Sequence, residues 1–254
     1  MVDKAIPVNQ PHNRAWAIRT NRWVYSVSTH WLLGFSLIYG LFVALPFLAP
    51  VFMKLGWELP GRAIYMVYSF LCHQLPQRSF FLFGSQFTHP TAEILTVWPS
   101  DSIMQLRQFI GTAEMGWKVA WSDRMVSMYT SILLFAWIWY PLRKRLPHLG
   151  WQGFVLFLLP MAIDGFSHVI SDLAGMGQGF RDSNLWLAAL TNNAFAPTFY
   201  SGDAWGSFNS IMRLATGILF GAGLIWFCFP YVNEYFSSMK ELVQYKFGRA
   251  GLHI

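Results

Sequence analysis

The chain has 254 residues, of which 54% are hydrophobic and only 12% charged, with 13 Trp and 23 Phe. An ordinary soluble domain carries roughly 25% charged residues, so the composition excludes that class and points to a polytopic membrane protein with aromatic belts at two interfaces. The net charge of +6 is spread over the ends of apolar runs, with no basic block longer than Arg143-Lys144-Arg145, which fits membrane topology and argues against a nucleic-acid partner.

Residues 1–22 are polar and lack the apolar core and small-residue cleavage site of a signal peptide. Residues 24–51 exceed the roughly 20 needed to cross a bilayer and form the first span, with Pro46 and Pro50 near its end. Residues 63–84 are also apolar, but the polar run 72–79 breaks them, so this stretch is expected to re-enter or to lie at the interface as a kinked segment. A long polar loop follows over 85–124. The second span, 125–140, lies between Asp123-Arg124 and Arg143-Lys144-Arg145. The third, 154–170, contains Pro160 and carries Asp164 and His168. A second long loop covers 172–210, and the fourth span, 211–231, has Arg213 near its start. The tail at 233–247 reads as a short amphipathic helix on the inner surface. The expected fold class is therefore all-α: one polytopic membrane domain over 1–254, with four transmembrane helices plus the re-entrant or interfacial segment.

Charge sets the expected orientation. With four spans, the N-terminus, the 141–150 loop and the C-terminal tail share a side. That side holds ten basic residues, Lys4 among them, against Asp3, Glu234 and Glu241; the other side balances eight basic residues with eight acidic ones, Asp101 among them. Basic residues favour the cytoplasmic side. Both termini are accordingly expected in the cytoplasm, in an inner (plasma) membrane, with loops 85–124 and 172–210 outside. Trp98, Trp117, Trp121, Trp186 and Trp205 in those loops argue for ordered structure there.

The unusual polar residues then gather on the outer side. Asp164 and His168, four apart, share a helix face. With Cys72 and His73 they could complete a tetrahedral set suited to zinc. Arg78, Arg124, Arg181 and Arg213 could clamp an anion such as a lipid headgroup. The plainer reading is an ion pair, Asp164 with Arg124 or Arg213, that locks helices together. His30 and His168 lie toward opposite sides, which makes them a poor axial pair for one haem, and His30 reads as a hydrogen-bonded core residue. Gly217 and Gly221 have the spacing of close helix packing. Cys228 reads as a buried apolar thiol, and no disulfide framework is implied by two cysteines. His12, His89, His148 and His253 read as solvated.

The run Cys72-His73-Gln74-Leu75-Pro76-Gln77-Arg78-Ser79-Phe80 resembles the Cys-His-Gln-x-x-x-Arg-Ser-Phe motif of domain-of-unknown-function family 2085, predicted bacterial and archaeal membrane proteins. Asp164-Gly165, Arg181-Asp182-Ser183-Asn184 and Arg213-x-x-x-Gly217 follow in the family's order. The family's Cys-x-Arg-Cys-x-Gly-x-Tyr is here Ser122-Asp123-Arg124-Met125-Val126-Ser127-Met128-Tyr129, which keeps Arg124 and Tyr129 and loses both cysteines. The resemblance implies a fold and a topology and brings no established activity. Two functions remain open: a non-catalytic membrane subunit or assembly partner binding other membrane chains, or a metal- or lipid-headgroup-binding protein or hydrolase. In an enzyme, His73 or Asp164 would be the base, with Arg78, Arg124 and Arg213 holding the anion.

Overall fold

The computed structural model describes residues 11–100 and 102–254, with side chains from Arg14 onward; Asp3, Lys4, Asp101 and the side chain of His12 lie outside the described residues. Helix α1 (Pro11–Thr29) leads through His30 into α2 (Trp31–Lys54). Then come α3 (Glu58–Tyr68), a 3-10 turn (Pro76–Arg78), β1 (Ser79–Leu82), α4 (Thr91–Val97), α5 (Ile103–Leu106), β2 (Gly111–Thr112) and β3 (Gly116–Ser122). The remainder is α6 (Asp123–Leu142), α7 (Trp151–Asp172), α8 (Phe180–Ser183), α9 (Leu185–Leu190), α10 (Pro197–Tyr200) and α11 (Phe208–Arg249). Four of these, α2, α6, α7 and α11, are long and apolar enough to cross a membrane.

The class is mainly α, as expected, with one addition. A three-stranded antiparallel sheet of order β1-β3-β2 joins the motif run to the chain just before α6, setting Ser79 opposite Ser122 and Phe81 opposite Lys118. Residues 63–84 thus comprise the end of α3, a loop and β1. Gln74, at φ 53, and Pro76, which has no N–H to give, prevent a helix from running through. Strand β1 pairs with β3 instead, and the Phe81 N–H donates to the Phe87 carbonyl at 2.8 Å. The tail after Tyr231 is no separate helix: α11 continues unbroken for 42 residues, through Pro230.

The chain forms two compact units, one of residues up to Ile38 together with Cys228–Ile254, the other Tyr39–Phe227. In the first, Trp31 stacks on Phe236 at 5.7 Å and meets Phe229 edge-on at 5.4 Å. Arg22 Nη2 donates to the carbonyl of His253 at 3.2 Å. His30 is exposed rather than a core residue, with Nδ1 3.0 Å from the Ser26 carbonyl oxygen. Cys228 is half-buried.

In the second unit, Phe42, Tyr68, Trp121 and Tyr129 form an aromatic core, with Trp121 and Tyr129 stacked at 4.4 Å. Helix α11 crosses α6 where Gly217 and Gly221 meet Ser127 and Ser131. A Cβ on either glycine would come within 2.2 or 2.1 Å of the serine hydroxyl oxygen. A smaller core of Phe81, Ile94, Leu106, Phe109 and Met115 lies between the sheet and the short helices. It encloses His89, which the sequence reading put in solvent. The ring is fully buried, with Nδ1 2.9 Å from Glu93 Oε1 and Nε2 2.9 Å from the Met115 carbonyl oxygen.

Candidate functional site

The ends of α6, α7 and α11 converge on the 72–78 loop through four arginines and four aspartates. Arg213, near the start of α11, makes a bidentate pair with Asp123, both bonds 2.8 Å, and donates from Nη1 to Asp203 Oδ1 at 2.6 Å. Arg78 makes a bidentate pair with Asp172 at 2.9 and 2.7 Å, and its Nε donates to Asp203 Oδ2 at 2.9 Å. Asp203 is therefore held by two guanidinia. Burial alone would raise its pKa, but Arg78 and Arg213 outweigh that and hold it below the usual carboxylate range. Asp123 also sits in the first turn of α6, where the helix dipole favours a negative charge.

The second part of the network centres on Asp164, which is 3% exposed. Arg124 Nη2 donates to its Oδ2 at 2.7 Å, and Arg181 Nη2 to its Oδ1 at 2.6 Å. Arg181 Nη2 also lies 3.2 Å from His168 Nε2. Gly165 makes room for this: a Cβ there would come within 3.0 Å of Arg124 Nη1, so the guanidinium lies across the backbone of α7. Arg181 is fixed by its own carbonyl, which accepts from Asn184 Nδ2 at 2.8 Å and Asn209 Nδ2 at 2.7 Å.

A cavity of about 600 Å³ adjoins the network. Its floor takes in Cys72, His73, Arg78, Arg124, His168 and Asp172, and its walls are apolar, with Met125 and Met128 from α6 and Met161, Phe166, Val169 and Leu173 from α7. The α7 residues recur at helical spacing on one face. Phe166, Val169 and Leu173 keep much of their surface exposed.

These contacts reassign several residues. Asp164 takes Arg124 as partner, while Arg213 goes to Asp123 and Asp203. The zinc candidates Cys72, His73, Asp164 and His168 do not form one ligand set: no group of three His, Cys, Asp or Glu able to hold a metal ion occurs among the described residues. Both Asp164 oxygens already accept from guanidinia, whose charge would oppose a cation. Cys72 Sγ instead accepts from the backbone N–H groups of Gln74 and Ser122 at 3.3 and 3.4 Å. Of the four proposed anion-binding arginines, Arg78 and Arg213 are spent on carboxylates. Arg124 gives Asp164 one bond, and its Nε is buried with no protein partner.

By sequence, Asp172 and Asp203 read as charges of the 172–210 loop. Asp172 carried a signal, since 164, 168 and 172 continue one four-residue spacing along α7. Asp203 carried none, because its partners lie 125 residues away at Arg78 and ten away at Arg213 across a turn.

Apolar helices of this length, with a charge network confined to their ends, define a mainly helical membrane protein. The chain belongs to domain-of-unknown-function family 2085, described as predicted membrane proteins, whose model matches residues 113–227. An uncharacterized protein of Methanocaldococcus jannaschii is 30% identical over 145 residues, which cover 54% of this chain and 69% of the relative. No solved structure matches the chain.

Proposed function

We propose that the protein is a non-catalytic receptor for an amphiphilic membrane molecule, which lies in the cavity between α6 and α7 with its headgroup against Arg124. One observation carries this reading: a largely apolar cavity of about 600 Å³ has at its polar floor a guanidinium with only one of its donors bound. That volume is ordinary for a small-molecule site, and apolar walls with a few polar groups suit a lipid. With four arginines and four aspartates the network is neutral as a whole, which favours binding and helix locking over chemistry. The exposed α7 residues leave a lateral way in from the bilayer. The membrane is proposed to be the plasma membrane, with both termini cytoplasmic.

The other reading, an accessory subunit of a larger membrane complex, is favoured by exposed aromatic residues outside the spans: Trp98, Trp186 and Trp205 are 41, 47 and 60% exposed. Native mass spectrometry of the chain purified in mild detergent separates the two. A bound lipid that is lost in Ala162→Trp, which fills the cavity from α7, while the melting temperature holds, supports the receptor. Lipid retained in that variant sinks it. A stoichiometric second protein without lipid would instead support the subunit.

A further inference from the structure

His168, which lines the cavity, carries a second unspent donor, and its identity follows from hydrogen-bond roles alone. Arg181 Nη2 lies 3.2 Å from His168 Nε2, and a guanidinium nitrogen can only donate. His168 Nε2 therefore accepts, and the ring proton is on Nδ1. That Nδ1 is buried and has no protein partner, in a residue 3% exposed that lines the cavity. A buried N–H without an acceptor is costly, so native structures rarely keep one. Arg124 Nε is in the same position, and Arg124 and His168 both flank the carboxylate of Asp164, with His168 Nε2 at 4.0 Å from Oδ1.

The charge is unevenly shared across the network. Arg78 and Arg213 face three carboxylates, Asp123, Asp172 and Asp203. Arg124 and Arg181 share only Asp164, so this end has one positive charge in excess. Excess positive charge coincides with the two residues, Arg124 and His168, that line the cavity and hold an unspent donor; Arg181 Nε is also unpartnered, but Arg181 does not line the cavity. Resting on the reading of the cavity as a lipid site, we infer that His168 Nδ1–H and the Arg124 guanidinium together bind the oxyanion of a singly charged acidic headgroup, a phosphodiester or a carboxylate. His168 serves as a neutral donor whose tautomer is set by Arg181. The head then supplies the acceptor that both donors lack and compensates the local charge.

The two nitrogens of His168 can be tested apart. His168→Gln keeps an acceptor near the Nε2 position for Arg181 and removes the Nδ1 donor. His168→Asn keeps a donor near the Nδ1 position and removes the acceptor. The full chain, delipidated in detergent, is titrated with short-chain phosphatidylglycerol, oleate and phosphatidylcholine by native mass spectrometry, alongside thermal melts. The expected result is that His168→Gln melts near wild type but binds phosphatidylglycerol, oleate or both at least tenfold more weakly. His168→Asn should melt lower and bind better than His168→Gln. Comparison of the two acidic ligands identifies the phosphodiester or the carboxylate as the source of the oxyanion. Wild-type affinity in His168→Gln, with binding abolished by Ala162→Trp, overturns the role of His168 and leaves the cavity reading intact. Unchanged binding in Ala162→Trp overturns the cavity reading itself. Equal affinity of wild type for phosphatidylcholine and both acidic ligands overturns the anionic head.

Discussion

Lys118 carries a primary amine into a place without solvent. The residue is 0% exposed, and its Nζ donates to the carbonyls of Gln74 and Arg107, each at 2.7 Å. Burial pushes its pKa down to about 7 from an ordinary 10.5; Cys72 pulls the other way, and the charge of Arg107 adds to the lowering. The neutral amine still has two N–H donors, so both bonds survive loss of the proton. Between about 7 and 10.5 the unfolded chain therefore holds a proton that the folded chain has lost. Stability should rise with pH across that window, by up to about 1.4 kcal/mol per pH unit, with no change from this group below or above it. Thermal unfolding followed from pH 6 to 11 should show this rise in wild type and a flatter profile in Lys118→Met. An equally steep profile in the variant would remove Lys118 as its source. None of this was visible in the sequence, where Lys118 reads as one basic residue in a polar loop. Its burial depends on β3 pairing with β1, and that pairing spans 43 positions between Ser79 and Ser122. His89 was misread for the same reason, since the Met115 carbonyl that holds it lies 26 residues away.

At the scale of elements, the spans were legible because about 20 apolar residues in a row have few other uses in a chain so poor in charge. The sheet was not, because its strands have four, two and seven residues and β3 is buried on both faces, which erases the alternation that marks a strand. The end of α11 was also misplaced. Hydropathy falls after Tyr231, but no Gly or Pro interrupts the segment until Gly248, so helix propensity carries it onward. The crossing of α6 and α11 was readable from Gly217 and Gly221, and it makes a quantitative prediction. A Cβ at Gly221 would lie 3.0 Å from the Ile132 nitrogen and 3.1 Å from the Met128 carbonyl oxygen, backbone atoms that cannot rotate away as the Ser131 hydroxyl can. Gly221→Ala should therefore destabilise the protein by about 1–3 kcal/mol through overpacking. Gly248 in the same helix has open space around its Cβ position. Gly248→Ala should be neutral or stabilising by up to about 1 kcal/mol from helix propensity. Melting both variants in one detergent decides it: if they melt alike, the α6–α11 contact is looser than its geometry implies.

At the scale of the whole molecule, the length of the last helix bears on orientation. At about 1.5 Å per residue, the 42 residues of α11 run to roughly 63 Å, about twice a hydrocarbon core of about 30 Å. A large part of it must therefore lie outside the lipid. The segment after Tyr231 is the suitable part, carrying Glu234, Lys240, Glu241, Lys246 and Arg249. Lys240 Nζ lies 5.8 Å from the centre of the Tyr25 ring, and Arg22 reaches His253, so the described part of α1 meets the C-terminal segment within one compact unit. Segments that meet on one side call for an even number of crossings between them, which the four long apolar helices among the described residues would supply. The basic residues near those ends and in the Arg143-Lys144-Arg145 turn then favour the cytoplasmic side for both termini. Reporter fusions test this directly. Green fluorescent protein joined after Leu146 or after Ile254 should fluoresce, and alkaline phosphatase joined at the same points should be inactive. Phosphatase inserted after Ser100 or Gly177 should be active, because both loops are expected outside. An active phosphatase at Ile254 together with fluorescence at Leu146 would mean an odd number of crossings between them, and would require residues outside the four long helices to span.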